Sequence, residues 1–235
     1  NAYDNYYLAH PYLEKIRSGE VGTEELDAKV RNVLRLIFRT EMVKDRPFGS
    51  LCSEAHYEAA RKIAGEGIVL LKNEGQVLPV DIDAAEKILV VGENAVKMMT
   101  VGGGSSSLKV QREISPLDGI RARVGDKAEV VYARGYVGDV TGEYNGVVTG
   151  QNLNDNRSAA ELIAEAVKEA EDADYVIFVG GLNKSAHQDC EDSDRAGLEL
   201  PYGQDAVIEA LAAVNSNLIV VNISGNAVAM PWVEK

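Results

Sequence analysis

Apolar residues recur at two different periods along this chain, and the change of period divides it. Leu26, Val30, Val33, Leu34 and Ile37 are spaced by three and four residues, the single apolar stripe of a long helix. Thr23 offers a side-chain oxygen for its N-cap, and Glu24 and Glu25 place negative charge in the first turn, where the helix dipole favours it. A shorter helix begins near Pro11 and ends near Gly19, with Tyr12, Leu13 and Ile16 apolar. Residues 44–50 (KDRPFGS) have no period and carry Pro and Gly, the signature of a linker. The chain therefore divides into helices over 1–45, a linker at 46–52 and a second region over 53–235.

In the second region short apolar runs alternate with amphipathic stretches. Ser53 caps a helix carrying Tyr57, Ala60 and Ile63, and the apolar run 67–71 (GIVLL) follows. Strands are predicted at 88–91, 128–132, 175–179 and 218–221, the first ending in Gly92, the third in Gly180-Gly181 and the last near Gly225. Helices are predicted at 116–124 after Ser115, at 158–173 with Ser158 as cap, and at 204–214. This alternation predicts an α/β fold, a mostly parallel sheet sandwiched by helices. Ligands in such folds sit outside the carboxyl ends of the strands, so three loops are candidates: 92–111, 180–201 and 225–232. Residues 135–156 hold five glycines with several Asn and Asp, a long loop with room for a hairpin. No internal repeat is present.

Composition narrows the function classes. With 24 Lys and Arg against 37 Asp and Glu, the net charge of the 235 residues is −13. Phosphate neutralisation needs clustered cations, so a nucleic-acid partner is excluded. No apolar run approaches the roughly 18 residues of a membrane helix, and the first ten residues have neither a basic start nor an apolar stretch of a signal peptide. Two cysteines, Cys52 and Cys190, are too few for a disulfide framework or a zinc site.

The densest polar stretch is 187–195 (HQDCEDSDR), with the four carboxylates Asp189, Glu191, Asp192 and Asp194 within six residues. Mutual repulsion is expected to raise the pKa of some of them unless a cation such as Arg195 compensates, and a raised carboxyl pKa suits a general acid. Charge clustering alone favours a plainer reading, a solvated acidic loop with an Asp194–Arg195 or Asp192–Arg195 ion pair. The spacing fits neither an EF-hand loop nor a zinc motif. Residues 101–107 (VGGGSSS) could expose backbone N–H groups to a ligand, but they lack the Gly-Lys-Ser/Thr ending of a phosphate loop. A surface turn fits them equally well. His10 and His56 have no paired nucleophile, Trp232 is either core or a sugar platform, and the acidic surroundings of Cys190 disfavour its thiolate. No Gly-x-Ser-x-Gly elbow is present.

Taken in order, these stretches resemble glycoside hydrolase family 3. Residues 17–21 (RSGEV) and 26–36 (LDAKVRNVLRL) are similar to the closing helices of the family's TIM-type barrel, and 69–75 (VLLKNEG) with Leu78-Pro79 to the opening of its second domain. The series continues through 88–92 (ILVVG), 102–105 (GGGS), 115–120 (SPLDGI), 180–182 (GGL), 191–195 (EDSDR), 198–201 (LELP) and 224–232 (SGNAVAMPW). The resemblance implies a retaining exo-acting β-glycosidase whose two carboxyls lie about 5–5.5 Å apart. It implies that Glu191 is the general acid/base and that Ser105, with Gly104 beside it, contacts the sugar. Asp194 and Arg195 would support the loop. Asp192 stands where the family usually has Gly, and a second carboxylate there would raise the Glu191 pKa. The family's nucleophile is an Asp in an Asp-Trp motif of the barrel; no Asp-Trp occurs here, Trp232 being the one tryptophan. The chain is therefore expected to be a fragment, inactive alone, whose partner is the barrel portion of the same enzyme. No cofactor or metal is implied. The implied substrates are β-glucosides or small oligosaccharides, with β-xylosides as the alternative, in the periplasm or outside the cell. A non-catalytic α/β module binding a sugar or nucleotide is the competing reading.

Overall fold

The computed structural model describes residues 10–40, 49–100, 104–105, 107–138, 143–144, 147–148, 151–191 and 193–234. It separates the chain into two units, Asn1–Ile63 and Ala64–Lys235.

The helices are α1 (His10–Arg17), α2 (Glu24–Thr40), α3 (Glu54–Gly67), α4 (Pro116–Val124), α5 (Ala159–Glu171) and α6 (Gln204–Ala212). The strands are β1 (Lys87–Val91), β2 (Glu129–Ala133), β3 (Glu143–Tyr144), β4 (Val147–Val148), β5 (Tyr175–Gly181) and β6 (Leu218–Ile223). In the first unit α1 ends at Arg17 and the chain turns away at Gly19, whose φ of +77° is open to glycine. The carbonyl of Thr23 accepts the first bond of α2 from the Asp27 N–H, as its place before the apolar stripe predicts. Lys29 lies 5.9 Å from the Tyr12 ring centroid. Ser53 caps α3 through its hydroxyl, which accepts from the His56 N–H, while His56 Nδ1 accepts from the Ser53 N–H. No residue of α1, α2 or α3 is buried. The linker expected at 46–52 lies outside the described residues up to 48, and 49–52 form neither helix nor strand.

The second unit is built on a four-stranded parallel sheet in the order β2-β1-β5-β6. Alternate side chains of the two central strands face opposite ways, and each set finds its own core. Leu89, Val91, Val176 and Phe178 pack against Ala166 and Ala170 of α5 and Val207, Ile208 and Leu211 of α6. On the other face Val90 and Val179 pack with Leu117 of α4 and Ala95, while Ile88 meets Val124. Burial on both faces is why β1 reads as an unbroken apolar run rather than an alternation. Caps fix the helix starts: the Ser115 hydroxyl accepts from the Asp118 N–H, and Ser158 and Glu161 form a reciprocal capping box. Within 135–156, β3 and β4 pair antiparallel, the hairpin for which the loop has room. The apolar run at 68–71 joins no strand, and Ile68, Val69, Leu70 and Leu71 are exposed.

Glycine allows the carboxyl edge of this sheet to close tightly. Gly92 follows β1 with φ +120°, and a Cβ there would lie 2.1 Å from the Val179 carbonyl oxygen. Gly181 has φ +102°, and a Cβ would lie 2.2 Å from the Ile223 carbonyl oxygen. β5 therefore continues through both glycines at its end, pairing Gly180 with Asn222 and Gly181 with Ile223. The fully buried Gln204 amide pairs with both backbone groups of Gly181, accepting from its N–H at 2.7 Å and donating to its carbonyl at 2.8 Å. The mouth of the sheet is thus held at the start of α6.

Phe178 fills the core between β5 and the α5–α6 layer with no exposed surface. Phe178→Ala is expected to destabilise the chain by about 3–5 kcal/mol, read as the shift of its urea unfolding midpoint.

Candidate active site

Three loops leave the carboxyl edge of the sheet: one after β1, one after β5 and one after β6. The first begins with a tight turn, Glu93–Ala95, over a buried ionic cluster. The Glu93 carboxylate has no exposure and accepts from Arg134 at 2.8 Å and from the Gly138 N–H at 2.5 Å, with the Lys97 ammonium at 3.4 Å. Arg134 carries the link on to the Leu153 carbonyl at 2.7 Å. One carboxylate so placed ties the exits of β1 and β2 together. Further out, the Glu113 carboxylate accepts from the Met99 N–H at 2.5 Å, the Thr100 N–H and the Thr100 hydroxyl, and the Leu108 N–H reaches back to the Thr100 carbonyl at 3.0 Å. These bonds close the glycine-rich loop at its base. Within that loop Gly102, Gly103 and Ser106 lie outside the described residues; Gly104 and Ser105 lie within them.

The second loop folds back on itself directly after β5. The Asn183 N–H donates to Gln188 at 2.9 Å, and the Asp189 N–H to the Asn183 carbonyl at 3.0 Å. His187 has φ +61°, and its Nδ1 lies 3.0 Å from both the Ser193 hydroxyl and the Asp194 carbonyl oxygen. Glu191 turns to the glycine loop. Its Oε2 accepts from the Ser105 N–H at 2.6 Å, across 86 residues of sequence. Gly104, at φ +95°, makes that approach possible: a Cβ there would lie 2.6 Å from Glu191 Cβ and 2.7 Å from Oε2. The structure thus brings Gly104, Ser105 and Glu191 together, and Ser105 and Glu191 are exposed.

Electrostatics at this contact run opposite to the expectation from charge clustering. Glu191 is held below the ordinary glutamate range by hydrogen bonds from the Ser105 side chain and then from its N–H. Two donors aimed at the exposed carboxylate outweigh the cost of its desolvation; Asp192, expected to push the value up, lies outside the described residues. The Asp194–Arg195 ion pair of the plainer reading does not form. Arg195 instead donates to Asn226 Oδ1 at 2.5 Å, to the Ala227 carbonyl at 2.7 Å and to the Glu199 carbonyl at 3.4 Å. Asp194 contributes its backbone oxygen to His187.

The residue that composition left without a role is Asp189. Its carboxylate accepts from the Gly225 N–H and, at 2.7 Å, from the Asn226 side-chain amide, so the second loop is tied to the third at two points. Nothing in spacing separated Asp189 from its three acidic neighbours; Asn226 and Glu93 carried no signal beyond their position in candidate loops, and Glu113 lies just outside the first of them. Under the second loop lies a hollow of about 490 Å³ bordered by Cys190, Arg195, Leu198 and Asn226. Trp232 is half-buried against the core on the α5–α6 side, and its indole N–H donates to Asp205 at 2.9 Å.

Residues 68–235 match the family described as the glycosyl hydrolase family 3 C-terminal domain. The chain belongs to glycoside hydrolase family 3. It is 50% identical over 238 residues to the β-glucosidase BoGH3A of Bacteroides ovatus, covering 99% of this chain and 31% of that protein. It is 34% identical over 248 residues to the periplasmic β-glucosidase of Salmonella typhimurium, covering 97% and 31%. Other relatives bear the names β-xylosidase, from Formosa agariphila, and exo-α-(1→6)-L-arabinopyranosidase, from Bifidobacterium breve. Among solved structures, the family 3 β-glucosidase of Bifidobacterium adolescentis superposes with a TM-score of 0.71 at 30% identity, over 93% of this chain and 29% of that one. The chain spans about a third of the length of the curated relatives it matches.

Two outcomes follow for this family 3 domain. Removing the buried carboxylate in Glu93→Ala takes the charged partner from the largely buried Arg134 and is expected to cost about 3–5 kcal/mol of stability, read by urea unfolding. In an NMR titration of the chain, the Ser105 amide is expected to shift with a midpoint below the roughly 4.3 of ordinary glutamate. In Gly104→Ala the new Cβ displaces Glu191, and the midpoint is expected to return to that ordinary value.

Proposed function

We propose that this chain supplies the acid/base half of a retaining, exo-acting β-glycosidase that removes terminal glucose from β-glucosides or small oligosaccharides. Glu191 is the general acid/base, Ser105 and Gly104 contact the terminal sugar, and Arg195 and Asp194 support the loop. The observation that carries this reading is the Glu191–Ser105 contact. It sets a carboxyl group against exposed donors at the carboxyl edge of a parallel sheet, where ligands of such folds bind. The names of the relatives support glucose as the sugar, with xylose as the alternative.

In the first half of the reaction Glu191 gives its proton to the departing glycosidic oxygen while an Asp on polypeptide outside this chain attacks the anomeric carbon. In the second half Glu191 removes a proton from water, which releases the sugar. The Ser105 donors stabilise the carboxylate left after the first transfer. Substrate and the enclosing polypeptide take water from the site, and desolvation raises the carboxyl pKa toward the value an acid needs. Exposed apolar surface supports an enclosing partner. The α2 stripe of Val30, Val33, Leu34 and Ile37 is uncovered in its unit, and Ile68, Val69, Leu70 and Leu71 are uncovered in the other. Among the described residues no helix is long and apolar enough to cross a membrane.

The test uses the complete gene product. Glu191→Gln is expected to lower kcat/KM about 100-fold or more on glucosides with poor leaving groups, and far less on dinitrophenyl glucoside, which departs without a proton. Azide is expected to rescue Glu191→Ala. Equal losses on both substrates would overturn the assignment. The 235-residue chain by itself is expected to give no turnover of an aryl β-glucoside or β-xyloside, and measurable hydrolysis by it would overturn the division of the site between two stretches of polypeptide.

A further inference from the structure

The loop that carries Glu191 stands on two feet, both set on the segment 225–227 and sharing one residue of it, Asn226. Asp189, two positions before Glu191, accepts from the Gly225 N–H and from Asn226 Nδ2. Arg195, four positions after it, donates to Asn226 Oδ1 and to the Ala227 carbonyl. The approach is close enough that a Cβ on Gly225 would lie 3.2 Å from the Asp189 carboxylate. Asn226 is the one side chain shared by both feet. A carboxylate can only accept and a guanidinium can only donate, so the partners force the amide orientation: nitrogen to Asp189, oxygen to Arg195. No charged side chain can serve both partners at once. Both bonds have an ionised partner, which makes them shorter and stronger than neutral ones. The bonds of this clamp are distinct from the Glu191 contact with Ser105.

We infer that Asn226 is a positioning residue for Glu191, acting through Asp189 and Arg195 to hold the acid loop in register with the glycine loop. The inference rests on the reading of Glu191 as the acid/base. Without the amide bridge each foot keeps only its backbone contacts, Asp189 on the Gly225 N–H and Arg195 on the Ala227 and Glu199 carbonyls, and the loosened loop lets the carboxyl move away from the leaving oxygen while the glycine loop stays closed by Glu113.

The exchange of the two side chains tests it in the complete gene product. In N226D two carboxylates face each other and the Asp189 contact is lost. In D189N/N226D the polarity of that bond is reversed but every partner is kept. The amide at 189 accepts from Gly225 and donates to the carboxylate at 226, which accepts from Arg195. N226D is expected to lower kcat/KM on a poor-leaving-group glucoside at least about tenfold more than on dinitrophenyl glucoside, and the double variant to recover most of that difference. In a Glu191→Ala background N226D is expected to leave the ratio of the two substrates unchanged, which an effect of Asn226 on the leaving group by a route other than Glu191 would not do. Equal losses on both substrates, or a folded double variant without recovery, would overturn the clamp. If N226D does not accumulate as folded protein, D189N alone decides, because it keeps the Gly225 contact and loses only the bridge. A wild-type substrate ratio in D189N would sink the proposal. Failure of Glu191→Gln to discriminate between leaving groups would instead overturn the underlying acid/base assignment and take the clamp with it.

Discussion

How closely three backbones approach at one edge of the sheet decides what the rest of this domain can do. Gly92 meets Val179, and Gly181 meets Ile223, at separations that leave no room for a side-chain carbon. The Gln204 amide locks the junction from the α6 side. Loops leaving so narrow a mouth start within reach of one another, and that is how Glu191 comes to meet Ser105 across 86 residues. A methyl group at Gly92 or Gly181 would force a left-handed backbone on an L side chain and push the strands apart in the same stroke. The chemistry of the edge is therefore conditional on residues that touch no ligand.

Charge counting failed at the acid loop for a physical reason. Repulsion between exposed carboxylates acts through water and is screened within about a Debye length of 8–10 Å. A hydrogen bond to a carboxylate acts at contact and favours the ionised form directly. At Glu191 the Ser105 contact dominates over desolvation, so its interaction with Ser105 is fully present above the ordinary glutamate range and is lost as the pH falls through the lowered value. Asp189 and Arg195 likewise spend their charge on the Gly225–Ala227 segment rather than on each other.

Much of the scaffold was legible. β-branched runs gave the strands, and Ser53, Ser115 and Ser158 gave three helix starts that the structure places one residue later, after a cap. These signals are local, since a strand buried on both faces or a serine before a helix needs no distant partner to be recognised. The partnerships within the loops were not legible. Arg195 does not pair with Asp194 beside it; it reaches the Glu199 carbonyl four residues on and Asn226 and Ala227, 31 and 32 residues on, while Asp192 lies outside the described residues. Glu93 looked like any polar residue after a strand, and only the tertiary approach of Arg134, Lys97 and Gly138 explains why a carboxylate can be buried there. Spacing along a chain carries periodicity and turn chemistry; it carries no record of which loops the sheet will bring together.

The two contacts of the acid loop divide its labour. The Ser105 donors set the charge state of Glu191, and the Asn226 bridge sets where the loop stands. A group that donates a proton and later recovers one needs both to be independent. If the bonds that favoured the carboxylate were also those that placed it, protonation would loosen the geometry just when the acid form is needed. Positioning through Asp189 and Arg195 avoids this, because neither partner contacts the titrating carboxyl group among the bonds that hold the loop. In the proposed role of Glu191 as acid/base, the loop can then keep one position through both halves of the cycle while the bond to Ser105 is made and broken.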